Sequence, residues 1–152
     1  MHYLVEKASI KNLDEILSLF KNTIEKTCSK DYNESQISAW TSSINNIEKW
    51  RKRIDNQYFI VVKENNKIVG FGSLEKNYVD LLFVDFNYLR KGIASLIFED
   101  LKSEASKNGF FKLTAFASKT ALPFFKSKGF SIIRENKAMI NEVEITNFEM
   151  SQ

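Results

Sequence analysis

Apolar positions in the first part of the chain recur with a helical period. Leu13, Ile16, Leu17, Phe20 and Ile24 fall on one stripe, which predicts an amphipathic helix over residues 13–26. Asn12 followed by Glu15 has the spacing of a capping box for that helix. A short strand, residues 2–7, precedes it. The stretch "CSKDYNESQISAW" stops the pattern and restarts it, with Asn33 as the cap and Ile37, Trp40, Ile44 and Ile47 as the apolar face. The polar patch 42–46 splits this region into two short helices before Trp50 and Ile54. The period then changes. "YFIVV" (58–62) reads as a buried strand, "ENNK" (64–67) as a turn whose asparagines tolerate positive φ, and "IVGFGSLE" (68–75) as the returning strand. "YVDLLFVD" (78–85) is a third strand. A helix follows from about Lys91 to Asn108, with Ile93, Ile97, Leu101 and Ala105 on one face and Gly109 as its stop. A strand over 111–117, a short helix ending at Gly129, and two late strands joined at Asn141 and Glu142 complete the chain. The order β-α-α-β-β-β-α-β-α-β-β predicts an α+β fold. Its central sheet is mixed and mostly antiparallel, flanked by helices, with one βαβ crossover over residues 78–117.

A length of 152 residues fits a single domain, 1–152, and 43% hydrophobic with 27% charged residues indicates a globular chain. No linker, repeat or low-complexity tract divides it. No apolar run reaches membrane-spanning length, and the first residues lack a signal-type apolar region, so no membrane partner is expected. A single cysteine, Cys28, fits a reducing, cytoplasmic setting. The net charge of +3 is mild, and the basic run "KWRKR" (49–53) reads as a solvated helix face, so no nucleic-acid partner is expected. No Cys/His group has metal-ligand spacing, and no metal is expected.

The chemistry concentrates in "DFNYLRKGIASLIFEDL" (85–101). The first N–H groups of the helix that begins there have no partner within the helix. Gly92 lets a ligand approach the backbone, Ala94 is nearly as small, and Arg90 and Lys91 add positive charge. These residues suit a pyrophosphate. On their own they fit an ordinary helix start with one flexible glycine better, since short glycine motifs are frequent by chance. They match neither a dinucleotide fingerprint nor a P-loop.

Taken together, "LLFVD", "YLRKGIASLIFEDL" and "ASKTALPFFKSKGF" resemble the GNAT acetyltransferase superfamily, and the element order matches over nearly the whole chain. The family's cofactor motif is Gln/Arg-x-x-Gly-x-Gly/Ala. Gly92 and Ala94 match its last fixed positions, Leu89 stands at its first, and Arg90 is displaced by one. "YVDLLFV", "DYNESQISAW" and "ASKTALPFFKSKGF" further resemble a subgroup of small bacterial members of the YafP type. The resemblance implies acetyl-CoA as co-substrate. Leu82, Phe83 and Val84 would bond its pantetheine arm through their backbone. Leu89, Arg90, Lys91, Gly92, Ile93, Ala94 and Ser95 would wrap its pyrophosphate. Ser118 falls where many members carry an asparagine that contacts pantetheine, and Phe125 where many carry a tyrosine that protonates the departing thiolate. The implied reaction moves an acetyl group to a primary amine of a small metabolite or amino-acid-like acceptor. A protein N-terminus or lysine is the alternative acceptor. The competing class is a non-catalytic acetyl-CoA-binding sensor or partner-binding module, a reading that Phe125 supports. The edge strands and late hairpin offer a route to a homodimer.

Acetyl transfer to an ammonium needs a proton acceptor. Asp80 is the candidate general base, acting directly or through water. Strand alternation places it on one face with Tyr78, Leu82 and Val84. Either Asp80 takes a proton, or it bonds a neighbouring N–H or pairs with a lysine and does no chemistry. Glu75 is a secondary candidate. Tyr32 and Tyr78 are candidate acceptor-side residues, while Trp40 belongs either to the acceptor wall or to the core stripe. His2 reads as a surface residue and Cys28 as a small buried thiol.

Overall fold

A computed structural model describes residues 2–152. Its strands are β1 (Leu4–Lys7), β2 (Tyr58–Glu64), β3 (Lys67–Glu75), β4 (Tyr78–Val84), β5 (Thr114–Ser118), β6 (Ser131–Ile140) and β7 (Val143–Ser151). Its helices are α1 (Leu13–Thr27), α2 (Glu34–Thr41), α3 (Ile47–Asn56), α4 (Ile93–Lys107) and α5 (Leu122–Ser127). The strands form one sheet in the order β1-β2-β3-β4-β5-β7-β6. Every neighbouring pair is antiparallel except β4 and β5, which α4 connects as the crossover. The α+β fold with one βαβ unit is therefore as the pattern of apolar residues predicts. The two hairpin turns place Asn65 (φ 51°), Asn66 (φ 66°), Asn141 (φ 50°) and Glu142 (φ 66°) in the left-handed region. That matches the twist of two-residue hairpins.

Each sheet face carries its own apolar layer. One packs Phe20 of α1 and Trp50 of α3 against Phe59, Phe71, Leu81 and Phe83. Phe20 meets Trp50 and Phe83 edge-on, each with centroids 4.9 Å apart. The other layer packs Ile93, Ile97, Phe98 and Leu101 of α4, with Phe125 and Phe130, against the opposite side of β2 to β5. Here α4 lies close to the sheet because Gly70 and Gly72 lack side chains. A Cβ at Gly72 would stand 2.5 Å from Ile97 Cγ2 and 3.2 Å from the Leu81 carbonyl oxygen. Gly72→Ala is therefore expected to cost about 1–3 kcal/mol through overpacking. Urea unfolding would show this as a lower midpoint at unchanged slope, and a wild-type midpoint would show that α4 has room to shift.

Several local expectations change. Asn12 and Glu15 do not cap α1 together. The Asn12 side chain accepts from the Ser9 N–H at 2.9 Å, and Glu15 accepts from the Ile68 N–H at 2.7 Å, tying α1 to β3. The cap at Asn33 does form, with reciprocal bonds to Gln36 at 2.9 and 3.0 Å. The polar patch becomes a 3-10 turn, Ser42–Asn45, between α2 and α3. Ile47 starts α3 but is 39% exposed rather than buried. Strand β5 starts at Thr114, not residue 111, because the chain first turns through Gly109 (φ 87°) and leaves Phe111 in solvent. Among the described residues no helix is long and apolar enough to cross a membrane.

Candidate active site

Strand β4 does not alternate regularly. Ser73 of β3 faces Leu81, but the next residue, Leu74, faces Val79. Asp80 is the extra residue of a β-bulge. The bulge resets which side chains share a face. Leu81 and Phe83 pack with the α1 and α3 layer, whereas Val79, Leu82 and Val84 pack with the α4 layer. Asp80 reaches Arg53 of α3 and Gln57 just past its end, so it lies opposite to Leu82 and Val84. The expected shared face of Asp80 with those two residues is corrected by one inserted position.

Just past the bulge, β4 and β5 separate. Only Tyr78–Thr114 and Val79–Ala115 pair. From there β4 stays with β3 to Val84, and β5 stays with β7 to Ser118. A cleft of about 450 Å³ opens between them. Peptide groups along its two edges have no strand across from them. One edge group is already engaged, because the Thr23 hydroxyl donates to the Val84 carbonyl at 3.1 Å.

The cleft leads to the start of α4. Leu89 and Ala94 line it beside Leu82, Phe83 and Val84. Arg90 (φ 61°) and Gly92 (φ 82°) both take left-handed conformations, so α4 starts at Ile93, two residues later than the apolar pattern suggests. Gly92 has no atom within 4 Å of the place a Cβ would occupy. Arg90 and Lys91 are exposed beside it and Ser95 is partly buried. The Ile93 side chain is core, 1% exposed, and offers this end of the cleft only its backbone.

On the β5 side, Ser118 lines the cleft and its Oγ accepts from the Ala121 N–H at 3.0 Å. Phe125 also borders the cleft. It is 5% exposed, with ring centroids of Phe130 and Phe124 at 5.1 and 5.6 Å.

The far half of the cleft is walled by aromatic and aliphatic groups around one ion pair. Asp80 Oδ2 accepts from Arg53 Nε at 3.1 Å and from Gln57 Nε2 at 2.9 Å. The partner of Asp80 is thus an arginine from the basic run 49–53, which is not a fully solvated face. Trp50 is completely buried, and Lys49 and Arg53 border the cleft. The sequence held that signal. Trp50, Arg53, Ile54 and Gln57 share the i, i+3, i+4, i+7 spacing of one helix face. Tyr78 stands in the same half, with its phenol pushed up to about 12 by burial and then by the charge of Asp80. It therefore stays protonated at neutral pH.

Tyr32 borders the cleft as a ring, 5.5 Å from that of Trp40. Its hydroxyl is occupied, donating to the Thr146 carbonyl at 2.7 Å and accepting from the Lys119 N–H at 2.9 Å. Cys28 is buried, and burial pushes its thiol up, away from the reactive thiolate. Glu75 is exposed at the end of β3, and His2 is exposed. Among the described residues, no three His, Cys, Asp or Glu side chains gather to hold a metal.

A mixed sheet that parts at its one parallel pair, beside a helix start capped by a left-handed glycine, defines a class of acyl-group transferases. The comparisons agree. Residues 28–152 match the family model described as an acetyltransferase (GNAT) domain. YafP of Escherichia coli (strain K12), named an uncharacterized N-acetyltransferase, is 33% identical over 140 residues, 91% of this chain and 88% of that protein. A crystal structure from Rhodopseudomonas palustris, described as a GCN5-related N-acetyltransferase (aminotransferase, class II), superposes with a TM-score of 0.96 at 25% identity. It covers 100% of this chain and 96% of its own. The PaiA N-acetyltransferase of Thermoplasma acidophilum, solved with coenzyme A, has the same fold at a TM-score of 0.82 and 17% identity, covering 100% and 99% of the two chains. This chain belongs to the GNAT family of acetyltransferases and is an enzyme of the N-acetyltransferase type.

Proposed function

We propose that the cleft between β4 and β5 binds acetyl-CoA and that the enzyme acetylates a primary amine of a small or amino-acid-like metabolite. The observation that carries this reading is the parting of β4 from β5 beside the Gly92-capped start of α4. Pantetheine is a chain of amides and needs peptide partners, which the edge from Leu82 to Val84 supplies. Pyrophosphate needs N–H donors and positive charge, which the helix start, Arg90 and Lys91 supply. The co-substrate brings an acetyl group already activated as a thioester. A cytoplasmic setting belongs to the same reading, since Cys28 is a free thiol.

The chain's residues then divide the work. Asp80 keeps Oδ1 without a hydrogen bond while Arg53 and Gln57 hold Oδ2. Oδ1 takes, directly or through water, the proton that the acceptor nitrogen loses as the C–N bond forms and the C–S bond breaks. Tyr78 and Tyr32 wall the acceptor side, and the Ser118 hydroxyl faces the pantetheine side. A cleft of this volume suits a small molecule better than a folded protein's terminus or lysine.

Phe125 has no proton to donate. A thiol with a pKa near ~8.5 leaves tolerably as thiolate at neutral pH, so transfer proceeds without a phenol here. Because the ring borders the cleft, Phe125→Tyr is expected to fold normally and turn over at least as fast as the parent. Turnover and melting temperature should be measured together. A loss of about 1–3 kcal/mol from an unpaired buried hydroxyl, without a rate gain, would assign the ring to the core alone.

Phe125 also favours the second reading, a binder of acetyl-CoA that has lost catalysis. Thiol release from acetyl-CoA across an amine library, run beside calorimetric binding, tests both. Release with at least one amine supports the transferase. Binding without release from any amine supports the sensor.

A further inference from the structure

The acceptor half of the cleft carries a charge arrangement that narrows the acceptor's chemistry. Its charged lining side chains are Lys49, Arg53 and Asp80. Asp80 is the one acidic group there and is already paired with Arg53. A polycationic acceptor, such as a polyamine, therefore finds no surplus negative charge. Arg53 has more to offer. Among the described residues only its Nε has a hydrogen-bond partner, which leaves both terminal Nη groups free. Its guanidinium is also held in place. The carbon at its centre lies 4.8 Å from the Trp50 ring centroid, and Trp50 is itself fixed by a 3.1 Å bond from Nε1 to the Ser43 carbonyl. A planar fork, ordered before binding and 16% exposed in its side chain, is a carboxylate receptor. Beside it, Asp80 Oδ1 is a free acceptor for an ammonium. The remaining wall is apolar, with Tyr78 and Phe116 rings 6.1 Å apart and Phe83, Ile140 and Ile145 close by.

We infer that the acceptor is an apolar or aromatic α-amino acid or a close analogue, its carboxylate on the Arg53 fork and its amine toward Asp80. The zwitterion then complements the ion pair, each charge of the acceptor meeting the opposite charge of the protein. This inference rests on the transferase reading above and gives it a substrate class.

The test compares kcat/KM for L-phenylalanine and L-leucine with their amides, with phenethylamine and with spermidine. The amides hold more of their amine neutral at pH 7.5, so a preference for the carboxylates runs against intrinsic reactivity. The free amino acids are expected to win by about 10- to 100-fold. Arg53→Lys keeps a cation beside Asp80 but removes the fork, and the carboxylate-to-amide ratio should fall by about tenfold. Equal or better use of the amides or of spermidine would overturn the inference and leave the transferase standing. So would an unchanged ratio in a folded Arg53→Lys protein. An inert probe separates the two readings if no amine turns over. Calorimetry with 3-phenylpropanoate in the presence of CoA should show binding to the parent and about tenfold weaker binding to Arg53→Lys. No binding, or equal binding to both, would overturn the carboxylate site whatever the catalytic outcome.

Discussion

Replacing Gly92 with valine will weaken acetyl-CoA binding by roughly 10²-fold, about 2.7 kcal/mol, while the protein still folds. Two effects combine. The residue sits at φ 82°, so a β-branched side chain strains the backbone by about 1–3 kcal/mol. No protein atom lies within 4 Å of the new Cβ, so the added bulk projects into the space proposed for the pyrophosphate. Gly109 provides the matched control, because it has φ 87° and equally open surroundings at the other end of α4. Gly109→Val should lose comparable stability and keep its affinity. Calorimetric titration and thermal melting of both variants separate strain from obstruction. Equal CoA affinity in the Gly92 and Gly109 variants would remove the phosphate-site assignment.

Asp80→Asn should lower turnover by about 10²-fold or more, with acetyl-CoA binding little changed. The loss should shrink as pH rises, because an amine that is already neutral needs no proton acceptor. The amide can still accept from Arg53 and Gln57 but leaves the guanidinium without a counter-charge. A stability loss of about 1–3 kcal/mol is expected alongside. The pH profile of turnover is the decisive measurement. A lower melting temperature with the parent's pH profile and rate would make Asp80 a tether for α3 and nothing more.

Much of this architecture is legible in the sequence, for physical reasons. Helices α1 and α4 carry long apolar stripes, and the asparagine turns signal both hairpins or permit them. The cap at Asn33 could be read because its partner Gln36 lies three residues away. The errors cluster where a distant residue decides. Glu15 sits at capping distance from Asn12 but bonds the backbone of β3, a contact made between elements far apart in sequence. The bulge at Asp80 is invisible to alternation, because "YVDLLFV" reads equally well as a regular strand. Arg53 was hidden by its neighbours. In "KWRKR" four cations suggest solvent, and only the spacing from Trp50 and Ile54 reveals that one of them turns inward.

The bulge has a consequence for anyone recombining this chain with a relative. Position 80 matters first as a matter of counting. One residue fewer between Glu75 and Val84 would restore an even ladder while Tyr78 and Val79 keep their β3 partners and their faces, so the loss would fall on the Asp80 carboxylate. A gap of one in a sequence alignment across this strand would therefore mark a relative without the bulge or its carboxylate, its pocket and core faces otherwise unchanged. Chimaeras should cross over before Glu75 or after Val84 and carry the segment between as one indivisible cassette.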